Sequence, residues 1–223
     1  MTQLHTVHRG IGVVRPTNDV DIVLHIETSR GVPRQAAAAL EALGYQLQVR
    51  VDPRDNTAHR WVRDGQVIDV GGAEVRAESD VDQVDVLTAD HPAPRVVEQM
   101  RGRDMVAIEG GTQALKRTVT AVLEITAGGP TTVSVPRPLG AVILKAAAYR
   151  TDSRDRERHL FDAAAHLACV ENPFDEVEQL GGSDRRRLRT LATTLSNDHE
   201  AWLQLDREAR TDAQAALRIL SNV

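Results

Sequence analysis

Disulfide chemistry is closed to this chain, because Cys169 is its single cysteine. The same count removes any cysteine-rich zinc site. Aromatic residues make up only 3% of the 223 residues, which argues against an aromatic core and against nucleic-acid recognition dominated by base stacking. No apolar run approaches the ~18 residues that a membrane-spanning helix needs, and the first residues lack the apolar stretch of a secretory signal. The cytoplasm is therefore the expected location, and a membrane is not an expected partner. Positive charge is in deficit: 27 Lys and Arg against 32 Asp and Glu leave a formal charge of −5, a poor balance for coating nucleic acid non-specifically, although a local basic patch stays open. What is plentiful is aliphatic. A hydrophobic fraction of 41% beside a charged fraction of 26% suits one sizeable unit or two small ones with a real core.

The order of patterns along the chain predicts an α+β fold. Asp19 to Ile26 reads as a strand, and "GVPRQAAAALEALGY" (31–45) as a helix with Pro33 near its start and Gly44 as its stop. "YQLQVRV" (45–51) alternates as a strand does, and "HRWVRDGQVIDV" (59–70) reads as two β runs turning at Asp64-Gly65. "DQVDVLTA" (82–89) and "VTAVLEITAGGPTTVSV" (119–135), turning near Gly128-Gly129-Pro130, complete the strand-rich part. Beyond Pro138 the spacing is helical to the end, with breaks at Asn172-Pro173 and Gly181-Gly182 and Ser183 as a candidate N-cap. The expected domains are 1–135, a mixed-sheet α/β unit with flanking helices, and 136–223, a helical unit.

Asp19 and Asp21 pose the chemical question. On a strand they share a face, about two rises of ~3.3 Å apart, and two ionised carboxylates that close repel unless a cation or strong donors lie between them. A divalent ion resolves the conflict, and Mg²⁺ commonly uses one or two carboxylates together with substrate phosphates. A third carboxylate on a neighbouring strand would allow two ions to act together. The plainer account of a bare D-x-D is a strand end with two solvated aspartates.

"RPTNDVDIVL" (15–24), preceded by "LHTVHRG" (4–10), resembles the R-x-T-x-D-hydrophobic-D signature of the nucleotidyltransferase superfamily, in particular the AbiEii/AbiGii-type toxins that include the MenT group. The likeness continues through "VDVLTADH" (84–91), "EGGTQALKRT" (109–118), "PRPLGAVILKAAAYR" (136–150) and "RDRERHLFDAAAHL" (154–167), in the family's order. The resemblance implies a nucleotidyltransferase-like mixed sheet followed by a helical C-terminal part. It implies a Mg²⁺- or Mn²⁺-dependent enzyme that moves a nucleoside monophosphate from an NTP to an acceptor hydroxyl. The acceptor so implied is a tRNA 3′ end, and the partner a cognate antitoxin protein in a type IV pair.

Carried over position by position, Asp19 and Asp21 become catalytic metal ligands, with Arg15 and Thr17 at the family's basic and hydroxyl positions for the nucleotide. Two residues compete for the third carboxylate: Asp85, which matches the D-V-L pattern better, and Asp69 in "QVIDV". Lys145 takes the nucleotide-contacting lysine position, although a lysine in an Ala-rich helix also snorkels. Arg158 joins the nucleotide set, and Asp162 either orients Lys145 or acts as general base. Where the family has K-D-x-x-D this chain has Arg158-His159-Leu160-Phe161-Asp162, so the first aspartate is replaced by histidine. His159, Asp162 and His166 also stand at i, i+3 and i+7, a spacing open to a transition-metal reading.

The family's Gly-Gly or Gly-Ser turn, which cradles phosphate on backbone N–H groups, has no counterpart ahead of Asp19; Gly10 and Gly12 stand too close. That departure keeps two rivals in play, namely transfer to a small molecule or a protein side chain, and a catalytically silent, partner-binding module. "SDRRRLR" (183–189) fits either an RNA-facing helix or an ordinary solvated one.

Overall fold

The computed structural model describes residues 1–12, 19–28, 30–50, 52, 54–63, 68–70, 73–75, 82–90, 98–126 and 129–222, as backbone alone at 68–70, 73–75 and 125–126. In chain order the elements are α1 (Thr2–His8), β1 (Asp19–Leu24), α2 (Val32–Ala42), β2 (Gln46–Leu47), β3 (Arg60–Arg63), β4 (Ile68–Val70), β5 (Ala73–Val75), β6 (Asp82–Ala89), β7 (Gln99–Met100), β8 (Arg103–Asp104), β9 (Ala107–Ile108), α3 (Gly111–Lys116), β10 (Thr118–Thr126), β11 (Gly129–Pro136), α4 (Pro138–Thr151), α5 (Arg158–Ala168), α6 (Pro173–Glu178), α7 (Asp184–Thr194), a 3₁₀ turn (Glu200–Gln204) and α8 (Arg207–Ser221). The architecture is α+β with a mixed sheet. Two compact units divide the chain, Pro16–Thr112 and the combination of Met1–Arg15 with Gln113–Val223. The division by contacts thus falls elsewhere than residue 135, since α1 and the β10–β11 hairpin group with the C-terminal helices.

In the Pro16–Thr112 unit the sheet runs β1-β6-β3-β2, with β9 also on β6. β1 and β9 lie parallel to β6, while β3 is antiparallel to it and β2 antiparallel to β3. Because side chains alternate across a strand, one face carries Leu24, Val84, Val86 and Trp61. These pack with Ala37 and Leu40 of α2 and with Met100 into a buried cluster. Each large apolar side chain so buried contributes about 1.5–3 kcal/mol. The opposite face carries the polar partners Asp21, Asp85 and Arg60.

α2 keeps its expected punctuation. Gly44 adopts φ 85°, its N–H bonds Glu41 O at 2.9 Å, and Tyr45 N–H reaches back to Leu40 O at 2.9 Å. This double closure is a Schellman motif, and its left-handed residue explains why the helix stops at a glycine.

One expectation is corrected. Among the described residues the runs flanking Asp64-Gly65 do not pair with each other: β4 pairs with β5, whereas β3 is hydrogen-bonded to β2 on one edge and to β6 on the other. With both edges of Trp61 and Val62 occupied, no ladder position is left for β4. Asp64 and Gly65 themselves lie outside the described residues.

The other unit is built on α4, α5, α7 and α8, whose facing sides bury Leu139, Ile143, Leu160, Leu167, Leu188, Leu191 and Leu220 among alanines. Gly140 lets α4 approach closely, since a Cβ there would stand 3.3 Å from both Arg117 O and Pro136 Cβ. α6 begins as read, with Pro173 in its first turn and Asn172 Oδ1 accepting from Phe174 N–H at 3.1 Å. At α7, Ser183 occupies the N-cap position without a side-chain cap bond. The neighbouring Asp184 is instead wholly buried, accepting from Gly181 N–H at 3.0 Å and pairing with Arg117 at 2.9 Å. Among the described residues no helix is long and apolar enough to cross a membrane.

Candidate functional site

The strand register of the Pro16–Thr112 unit assembles a carboxylate face. Asp21 is the direct partner of Asp85 on the adjacent parallel strand, and Asp19 is the partner of Gln83. Partners in register point to the same side, so Asp19, Asp21, Gln83 and Asp85 share one face, with strands ~4.8 Å apart. From the other edge of β6, Arg60 is the antiparallel partner of Asp85. Its guanidinium grips that carboxylate with both arms, Nε at 3.1 Å to Oδ1 and Nη2 at 3.0 Å to Oδ2. Gln83 Nε2 donates to Asp85 Oδ2 at 3.3 Å, and His59 Nε2 stands 4.0 Å away.

The electrostatics follow. The hydrogen bonds to Asp85 raise the Arg60 pKa against the cost of its partial burial, and the charges of Asp85, Asp19 and Asp21 add to the rise. His59 is pushed down by burial despite Asp85 beside it, which favours a neutral ring. Among the described residues no three acidic, histidine or cysteine side chains stand close enough to cage a metal ion.

Of the two candidates for the third carboxylate, Asp85 lies beside Asp21. Asp69 lies on β4, whose described ladder is with β5 alone. Arg15 and Thr17 fall outside the described residues.

The helical unit carries a second cluster. Lys145 on α4 and Asp162 on α5 form an ion pair of 2.8 Å, with side chains 19% and 8% exposed. Arg158 and His159 both turn to Asp152 just beyond α4, at 3.4 and 3.0 Å. Backbone N–H groups of Arg154 and Asp155 also reach Asp152, and it is chiefly the Arg154 bond, helped by His159 and Asp155, that holds this carboxyl down at about 2.

His159, Asp162 and His166 therefore do not converge on a common point: the first binds Asp152, the second Lys145, and His166 shares a 3.1 Å hydrogen bond with Thr2 Oγ1. The charge run splits likewise, since Arg187 is buried with Asp184 while Arg186 and Arg189 are exposed. Cys169 is buried as a small apolar residue, its thiol pushed by burial up to about 11.

α1 is fastened through histidines. His5 Nε2 donates to Pro136 O at 2.7 Å, and its ring meets that of the fully buried His166 edge to face at 5.5 Å. Burial lowers both pKa values; Lys145, His5 and the N-terminal ammonium press further on His166, and the ammonium and His8 on His5, whose bond to Pro136 opposes the fall only in part. Burial thus favours the neutral form of both rings in the folded chain, whereas in the unfolded chain they titrate near the ordinary value of about 6.5. Their contribution to stability is complete above that value and drains away as pH falls below it. Thermal melts should accordingly show a lower Tm at pH 5 than at pH 7.5, with the gap narrowed in His166→Gln.

Sequence reading missed Arg60, Gln83 and Asp152. Arg60 was detectable in principle, since it sits at the start of an alternating run, but only the β3–β6 register discloses its partner. Comparison of the chain with family models, curated proteins and solved structures finds no match in any of the three.

Proposed function

We propose that this chain is a metal-dependent nucleotidyltransferase that moves a nucleoside monophosphate from an NTP to an acceptor hydroxyl, with a tRNA 3′ end as the acceptor. In this reading it is the toxin of a cytoplasmic toxin–antitoxin pair built on a nucleotidyltransferase-like fold. The observation that carries the proposal is the register of Asp21 with Asp85 on adjacent parallel strands, with Asp19 on the same face. That is the placement the D-x-D motif needs to be more than a strand end.

The donor chemistry suits Mg²⁺ or Mn²⁺, because Asp19 and Asp21 offer hard oxygen ligands on one face and such ions complete their shell with phosphates and water. When bound, the ion would neutralise triphosphate charge and make the attacking hydroxyl more acidic. Asp19 and Asp21 would hold it, and Asp85 would serve as the third carboxylate. The acceptor oxygen forms its bond to the α-phosphorus as the bond to the bridging oxygen breaks. Pyrophosphate leaves with that electron pair, and the hydroxyl proton passes to solvent water. Lys145 and Arg158 keep their implied nucleotide contacts, and Asp162 its implied role as general base or orienter of Lys145, as a separate proposal for the helical unit; the Lys145–Asp162 ion pair fits the orienting role.

Calorimetric titration of each NTP with and without Mg²⁺ tests the core of the reading. Binding that needs Mg²⁺ and is lost in Asp19→Asn/Asp21→Asn is the expected result; incubation with labelled NTP and tRNA, small-molecule or protein acceptors then separates the acceptor classes. A silent, partner-binding module is the second reading, favoured by the engagement of Asp85 with Arg60. Absence of NTP binding under all conditions would select it.

A further inference from the structure

Arg60 does for this carboxylate face much of what a metal ion would do. It stands in register opposite Asp85, holds both of its oxygens at 3.0–3.1 Å, and feels the charges of Asp19 and Asp21 as well. A guanidinium fork takes up one lone pair on each oxygen of a carboxylate and draws down the negative charge that would attract a cation. Arg60 and a divalent ion therefore draw on the same two oxygens of Asp85, and each weakens the other's hold.

We infer that Arg60 is a built-in counter-cation, a positioning residue that holds Asp85 in the metal-free chain and competes with a divalent ion for it. Its antiparallel pairing places it on the side of β6 opposite β1. An ion held by Asp19 and Asp21 would thus have to share Asp85 with Arg60. This inference rests on the proposed metal site and adds to it a named restraint: full occupancy requires Arg60 to loosen its grip. The competition also supplies a reason for the fork. Without a counter-charge, three aspartates on one face would repel one another whenever no ion was bound.

The test measures Mn²⁺ binding directly, from the loss of the free-ion electron paramagnetic resonance signal, in the full chain without nucleotide. Arg60→Met is expected to bind Mn²⁺ about tenfold more tightly than the parent, and to lose thermal stability that Mn²⁺ then restores. Arg60→Lys keeps the charge but not the fork and is expected to fall between; it also serves should the methionine variant fold poorly. Arg63→Met removes the same charge from the same strand, where Arg63 pairs with Asp82, and should leave the affinity unchanged.

Equal affinity in the parent and both Arg60 variants, or an equal gain in Arg63→Met, would overturn the inference. The proposed function would survive that outcome if Asp21→Asn still abolished binding. Binding in Arg60→Met but not in the parent would support the inference while favouring the silent reading. No Mn²⁺ binding by any variant would overturn both.

Discussion

On the proposed reading, Asp21→Asn is expected to cut nucleotide transfer by about 10³-fold or more while moving Tm by no more than a few degrees. The asparagine keeps the size and shape of the side chain, and Asp21 is exposed on the edge strand β1, so little packing energy is at stake. What changes is the charge, and with it a hard anionic ligand. The loss should appear in kcat as well as in Mg²⁺-dependent NTP affinity, because neutralising triphosphate charge matters most as the α-phosphorus bond breaks. A variant that retained a tenth of the parent turnover would remove Asp21 from the metal site. Asp69→Asn serves as the contrast: on the proposed reading it leaves turnover near the parent level.

The second large effect concerns folding alone. Arg117→Met should destabilise the helical unit by about 3–5 kcal/mol, enough to lower Tm by about 10 °C or more. Asp184 has no exposed side-chain surface, and Arg117 is its close cationic partner at 2.9 Å. Arg117 also bonds Gln179 O, so it ties the end of α6 to the start of α7. Removing it leaves a buried carboxylate held mainly by Gly181 N–H, with Arg187 Nη1 3.9 Å away. Arg117→Met/Asp184→Leu, which removes both charges, should recover much of the loss. Chemical denaturation of the three chains measures the coupling, and a double variant as weak as the single would show that the pair contributes through more than its charges.

Local features were the legible ones. β6 was read at its observed bounds, 82–89, because β-branched and apolar residues run between turn-forming flanks. The β10–β11 hairpin was read to within a residue or so at its outer ends, and α2 followed from Pro33 and Gly44. The Lys145–Asp162 contact was legible too, as one of two roles open to Asp162.

What failed was pairing between distant segments. An Asp-Gly dipeptide is a strong local hairpin signal, yet β3 spends both of its edges on β2 and β6, a choice made by residues 46–47 and 82–85. The Arg60 fork was hidden for the same reason, since nothing in "HRWVRD" announces that its first arginine will lie opposite Asp85. His166, open to a metal-ligand reading from its spacing to His159 and Asp162, found its partner at Thr2, 164 residues earlier in the chain.

Among the described residues β1 ends one side of its sheet, and Val20 and Ile22, 57% and 38% exposed, alternate along it with Asp19 and Asp21. A sheet margin with exposed apolar side chains invites a second chain to add itself, and anionic side chains along the margin are a common defence against that. The aspartates proposed to hold a metal would then also keep one molecule from docking edge to edge with the next. Their asparagine variants should consequently self-associate more readily than the parent at equal concentration.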